Sequence, residues 1–254
     1  MGTLDGTASV VTGGSHGIGL ATARALLREG ASVTICSRGP DDVAAAVAEL
    51  SEHGAVHGVA ADVSVRTDVE RLFAEAEAAH GPVDSLVCSH GVFFHGSFTE
   101  LGDEAWDTTF AVNTKGCFLA GQIAARSMIA NDRRGRIVLI GSMNGDRADP
   151  GSAHYCASKA AVNMLAAGMA RDLGPHGITV NVISPGWIRT RLTEAGEADR
   201  TDEQGRFILN PVERIGTGDD VAEAVLYLIG QSGFVTAEVI RVDGGQTMMG
   251  ANGF

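Results

Sequence analysis

Short runs of apolar, often β-branched residues alternate along this chain with longer stretches in which Ala, Leu and Val recur at helical spacing among charged residues. The pattern predicts strands at 8–12, 32–37, 56–60, 85–89, 136–140, 179–184 and near 239–242. Helices are predicted at 17–29, 41–53, around 65–80, around 103–129 and at 155–173. Strand alternating with helix implies a parallel sheet with helices on both faces, here with seven strands. No linker or composition shift divides residues 1–254, and no repeat of fixed period occurs, so one α/β domain is expected. The segment 189–211 breaks the rhythm, being charged and poor in apolar periodicity. A lid or substrate loop is the favoured reading, with a disordered insertion as the other.

Composition narrows the functions available. The chain has 254 residues, with 31 acidic against 19 Lys and Arg and a formal net charge of -12, which argues against binding the nucleic-acid backbone. An anionic ligand therefore needs a locally positive pocket. The four cysteines, Cys36, Cys88, Cys117 and Cys156, lack close-paired metal spacing, and no metal-binding triad is apparent. Reduced thiols and a cytoplasmic setting are expected. No basic flank precedes an apolar leader, no uninterrupted apolar run approaches membrane-spanning length, and the N-terminus misses the myristoylation pattern.

Directly after the first strand, Thr12-Gly13-Gly14-Ser15-His16-Gly17-Ile18-Gly19 opens the first helix. Small residues there let backbone approach a pyrophosphate, and the helix start offers free N–H groups and a positive dipole end. Gly13, Ser15, His16, Gly17, Ile18 and Gly19 are candidate cofactor contacts in a doubly wound domain of the Rossmann type. The spacing is Thr-Gly-x-x-x-Gly-x-Gly, and from this turn to Val242-Asp243-Gly244-Gly245 the chain resembles the short-chain dehydrogenase/reductase family, its 3-oxoacyl-ACP reductase-like branch in particular.

The second strand ends in Ser37-Arg38, where an NAD-binding chain would carry an acid for the adenosine ribose. No acid stands at that position, and a guanidinium fork suits a phosphate dianion. NADP(H) is therefore preferred over NAD(H), with Ser37, Arg38 and, more weakly, His16 as the contacts. A solvated surface Arg38 is the plain alternative. Asp62-Val63 looks like the family's adenine-contacting pair, and Asp62 also reads as a helix cap.

Tyr155 and Lys159 lie four residues apart and share one helix face. A phenol is a poor base at neutral pH, and a neighbouring ammonium favours its ionised form, so the pair can serve as a general acid and base. The resemblance implies that Tyr155 exchanges the proton on the substrate oxygen and that Lys159 also holds the nicotinamide ribose. Ser142 follows a strand at the sheet's carboxyl end, where ligands bind in such folds. Asn113 matches the family position that anchors a proton-relay water. Asn181 and the stretch Pro185, Gly186, Trp187, Ile188, Arg189 and Thr190 resemble the segment that grips the carboxamide, through the backbone of Ile188 and the hydroxyl of Thr190.

Relatives usually carry Asn-Asn-Ala-Gly after the fourth strand, whereas this chain has Cys88-Ser89-His90-Gly91. Ser89 and Gly91 remain candidate cofactor contacts. His90 is read as structural or as titrating near the cofactor. By resemblance Phe94, His95, Asn144, His154 and Trp187 line a substrate pocket, or else pack in the core. The function expected is a carbonyl–alcohol oxidoreductase acting on a small molecule. The alternatives are an NAD-dependent alcohol dehydrogenase of the same family, a sugar-nucleotide epimerase or dehydratase of the same fold, and a non-catalytic NADP(H)-binding regulator. Helices apolar on more than one face imply, with the resemblance, a homotetramer.

Overall fold

The computed structural model describes residues 2–191, 193, 200, 207–231 and 233–253. Its sheet has seven strands: β1 Ala8–Thr12, β2 Ser32–Ser37, β3 Val56–Ala60, β4 Ser85–Cys88, β5 Arg136–Ile140, β6 Thr179–Pro185 and β7 Val239–Val242. All pairs are parallel, in the order β3-β2-β1-β4-β5-β6-β7. This is the doubly wound Rossmann-like α/β fold. The order reverses between β1 and β4, which opens a crevice at their carboxyl ends.

Strand residues alternate between two cores because successive side chains point to opposite faces. Val10, Leu86, Cys88, Ile137, Leu139, Val180 and Val182 pack on one side. They meet α3 Arg66–His80 through Leu72 and Phe73, α5 Gly116–Ala130 through Leu119 and Met128, and α6 Ala153–Leu173 through Val162 and Ala166. Val11, Val33, Ile35, Val87, Val138 and Ile183 pack on the other. There they meet α1 Gly17–Arg28 through Leu26, α2 Pro40–Leu50 through Ala46, and α7 Gly218–Leu226 through Val221 and Val225.

The helix expected over 103–129 is more structured than its periodicity suggests. It runs as α4 Asp103–Thr109, a π-helical turn Phe110–Lys115, then α5. A π-turn inserts one extra residue per turn and rotates the downstream helix about its axis, and here it carries Asn113 into the interior. The helix α7 was not anticipated. Its signal was present: Thr217 accepts from the Asp220 N–H while the Asp220 carboxylate accepts from the Thr217 N–H, a capping box.

Within the expected lid, 192, 194–199 and 201–206 lie outside the described residues. The rest is anchored. Ile188 bridges Gly216 in parallel, Phe207 and Leu209 are buried, and Trp187 stands between Phe207 at 6.3 Å and the Arg200 guanidinium at 4.2 Å. Among the described residues, no helix is long and apolar enough to cross a membrane, and no group of His, Cys, Asp and Glu could hold a metal ion.

Candidate active site

At the β1/β4 crevice lies a cleft of about 580 Å³. The turn after β1 forms its floor, and backbone packing explains why side chains are excluded there. A Cβ on Gly13, at φ +68°, would sit 2.8 Å from the His90 backbone across the crevice. One on Gly19 would sit 2.2 Å from the Gly13 carbonyl oxygen. Gly19 thus closes the turn from behind, while Gly13, Ser15, His16, Gly17 and Ile18 line the cleft.

Above that floor, the walls bring most of the candidate residues together. Ser37, Arg38, Asp62, Val63, Ser89, Gly91, Pro185, Gly186, Ile188 and Thr190 line the same cleft as Ser142, Tyr155 and Lys159. Asp62 does not cap α3, whose N-cap is Val65 with no side-chain cap bond; instead, against the opposing effect of burial, bonds to its Oδ1 from the Ser64 N–H at 2.8 Å and hydroxyl at 2.7 Å hold its carboxyl below the usual range. Thr190 reaches back to the turn, its Cγ2 lying 3.0 Å from where a Gly17 Cβ would be.

Three of the cleft-lining side chains are the candidate catalytic residues. Lys159 is buried and its Nζ donates to the Ile140 carbonyl at 2.9 Å, lying 5.8 Å from the centre of the Tyr155 ring. The Tyr155 ring is braced edge-on by Phe93 at 5.1 Å. Ser142 Oγ accepts from the Asn144 N–H at 3.1 Å, which leaves its own O–H to donate elsewhere. Asn113 lies behind this wall. Its Oδ1 accepts from the Val92 N–H at 2.8 Å and its Nδ2 donates to the Val92 carbonyl and to Ser158 Oγ, tying the loop after β4 to α6. A Cβ on Gly91 would stand 3.5 Å from Asn113 Oδ1 and 3.7 Å from Lys159 Nζ, so Gly91 is the thin partition between them.

The segment Cys88-Ser89-His90-Gly91 is anchored through its histidine. His90 Nδ1 pairs with Thr12 Oγ1 at 2.6 Å, and its Nε2 faces Cys117 Sγ at 3.7 Å. The neighbouring Cys117 thiol, together with burial, pushes Cys88 well above the ordinary thiol range. His90 therefore joins β1 to α5 at the crevice.

None of the five pocket candidates lines the cleft. His154 is fully buried with neither ring nitrogen hydrogen bonded, and burial lowers its proton affinity. His95 packs on Gly151, and Phe94 is exposed. Asn144 keeps a buried, unpartnered Oδ1, and Trp187 faces a separate cavity with Asn210 and Arg241. The sequence reading missed other cleft residues, among them Gly39, Asp42, Val92, Arg191 and Thr193. Thr193 Oγ1 donates to the Ile188 carbonyl at 2.6 Å and fixes the turn after β6.

The cleft fits a dinucleotide in a specific way. Ser37 Oγ is buried without a partner at the end of β2, beside Arg38, where adenosine ribose hydroxyls need a hydrogen-bonding group.

Comparison with known proteins gives the family. A family profile described as Enoyl-(Acyl carrier protein) reductase matches residues 13–247. The chain is 38% identical over 245 residues to 2-(S)-hydroxypropyl-CoM dehydrogenase 3 of Xanthobacter autotrophicus, covering 93% of this chain and 95% of that protein. It is 35% identical over 240 residues to the 3-oxoacyl-(acyl-carrier-protein) reductase MabA of Mycobacterium tuberculosis, covering 94% and 92%. The crystal structure of a short-chain type dehydrogenase/reductase from Mycobacterium marinum superposes with a TM-score of 0.90 at 31% identity, covering 96% of each chain. The chain belongs to the short-chain dehydrogenase/reductase family, whose members use NAD(P)(H), and is an oxidoreductase acting on hydroxyl and carbonyl groups.

Proposed function

We propose that the protein interconverts a small-molecule carbonyl and a secondary alcohol with NADP(H), using Tyr155 as general acid and base. The observation that carries this reading is the convergence of Ser142, Tyr155 and Lys159 on the cleft that also holds the glycine turn and Ser37-Arg38. A nicotinamide bound there supplies or accepts the hydride. The turn residues hold its pyrophosphate, Ser37 and Arg38 its adenosine ribose phosphate, and Asp62 with Val63 its adenine. Ser89, Gly91, Pro185, Gly186, Ile188 and Thr190 line the remaining walls.

In reduction, the Tyr155 hydroxyl gives its proton to the carbonyl oxygen, and in oxidation the ionised oxygen takes the proton of the alcohol. Ser142 donates its free O–H to the same oxygen. Lys159 uses one N–H on Ile140 and keeps two donors, for the ribose and for proton exchange. Asn113 fixes the loop at Val92 and lies beside Lys159 across Gly91, a suitable place to order a relay water.

We also read residues 1–254 as one domain working in the cytoplasm as a homotetramer. One sheet takes strands from both ends of the sequence, and Cys36, Cys88 and Cys117 are buried free thiols. Phe118 on α5, Met164 on α6 and Met248 beyond β7 present exposed apolar surface suited to cover by other copies. The test of activity is NADPH oxidation with a panel of ketones and aldehydes. Turnover supports the reading, whereas NADPH binding without consumption on any of them favours a non-catalytic regulator.

A further inference from the structure

An acid does stand at the adenosine end of the cleft, reached through tertiary structure rather than through the end of β2. Asp42, in the first turn of α2, turns back over the helix start, its Oδ2 lying 3.0 Å from where a Gly39 Cβ would be. Its Oδ1 lies 3.4 Å from His16 Nε2 on the glycine turn and 3.6 Å from Arg191 Nη1 beyond β6. All three line the cleft together with Ser37 and Arg38. The His16 ring is held on its other side by Ser15 Oγ at 2.9 Å. Two basic side chains from distant parts of the chain thus share one carboxylate, at the place where a ribose phosphate would need them.

We propose that Asp42 is a cofactor-specificity residue that acts as an internal counter-anion, engaging His16 and Arg191 and setting how strongly a 2′-phosphate is preferred over a free 2′-hydroxyl. The inference rests on the NADP(H) reading for the phosphate's position. A phosphate dianion entering beside Ser37 and Arg38 competes with Asp42 for both basic side chains and is repelled by its charge. A free ribose hydroxyl does neither. The carboxylate therefore weakens phosphate binding selectively and narrows the discrimination that Arg38 confers. It sits partly exposed, at 47% for its side chain, so neutralising it leaves no buried charge unpaired.

The probes are adenosine 2′,5′-bisphosphate and 5′-AMP, whose binding to wild type, Asp42→Asn and Arg38→Ala is measured by calorimetry, with thermal melting to verify folding. Asp42→Asn is expected to tighten the bisphosphate by about tenfold and to change 5′-AMP by less than about twofold. Unchanged bisphosphate affinity overturns the proposal, as does an equal change for both nucleotides. Weakened 5′-AMP binding also overturns it and makes Asp42 a ligand of the ribose hydroxyls. The underlying reading fails separately, if wild type binds the bisphosphate no more tightly than 5′-AMP or if Arg38→Ala leaves that ratio unchanged.

Discussion

His90 and Thr12 face each other across the point where the strand order reverses, with Nδ1 2.6 Å from Oγ1, and the far side of the same ring meets Cys117. Here an imidazole spans the crevice floor from β1 to α5. Both residues are buried, so an unmade bond on either side costs the desolvation of a polar group. His90→Ala should destabilise the protein by about 2–4 kcal/mol, and Thr12→Val by about 1–2 kcal/mol. Urea denaturation of the single and double variants measures the coupling; strictly additive losses would show that the bond contributes nothing.

Tyr155→Phe keeps the ring and its edge contact with Phe93 while removing the proton donor. Turnover should fall by about a hundredfold or more with NADPH binding retained. Near-normal turnover in steady-state kinetics would remove Tyr155 from the chemistry.

Cofactor preference gives a paired prediction. Removing the Arg38 guanidinium should weaken NADPH by roughly ten- to a hundredfold and leave NADH nearly unchanged. Ser37→Asp should admit NADH and repel NADPH. Specificity constants for both cofactors check this, and an equal loss for both in Arg38→Ala would make that residue a surface charge.

Burial of His154 should make stability depend on pH in mildly acid solution. Its proton affinity is lowered by burial, so the unfolded chain binds the proton first. Stability from this residue is therefore complete above the unfolded value of about 6.5 and declines as the pH falls below it. His80 is lowered in the same way, also chiefly by burial, and adds to the effect. His154→Leu should show a smaller drop in Tm between pH 7.5 and 5.5 than wild type does. Equal drops would show that His154 stays neutral through that range.

At the start of α7 the Asp220 carboxylate takes the Arg214 fork at 2.5 and 2.8 Å and the Thr217 N–H at 2.7 Å. Arg214 is the main cause of its carboxyl lying far below the ordinary range. With a lowered folded value, its stabilisation is present above the unfolded value of about 4 and is lost as the pH falls toward the folded one. Because the site is largely solvated, Asp220→Asn should cost only about 1 kcal/mol at neutral pH. Denaturation at pH 7 and at pH 3 should show the gap between variant and wild type shrinking in acid.

What the chain declares by itself is whatever depends on neighbours in sequence. Strand and helix periods, the glycine turn and the one-face spacing of Tyr155 and Lys159 are set within a few residues, and their elements stand where those patterns put them. The capping box at Thr217 and Asp220 was equally local and equally legible, though it introduces a helix of only nine residues with little period to notice. Other features needed the fold. An acid near the adenosine end was absent from the end of β2, yet Asp42 reaches His16 and Arg191 because α1, α2 and the turn after β6 converge on one crevice. The partners of His90 come from β1 and α5, and Asn113 turns inward on a π-turn. Local pattern settles backbone conformation because its energetics are summed over adjacent residues. Which side chains meet is decided by strand order and helix packing, which join residues far apart in the chain.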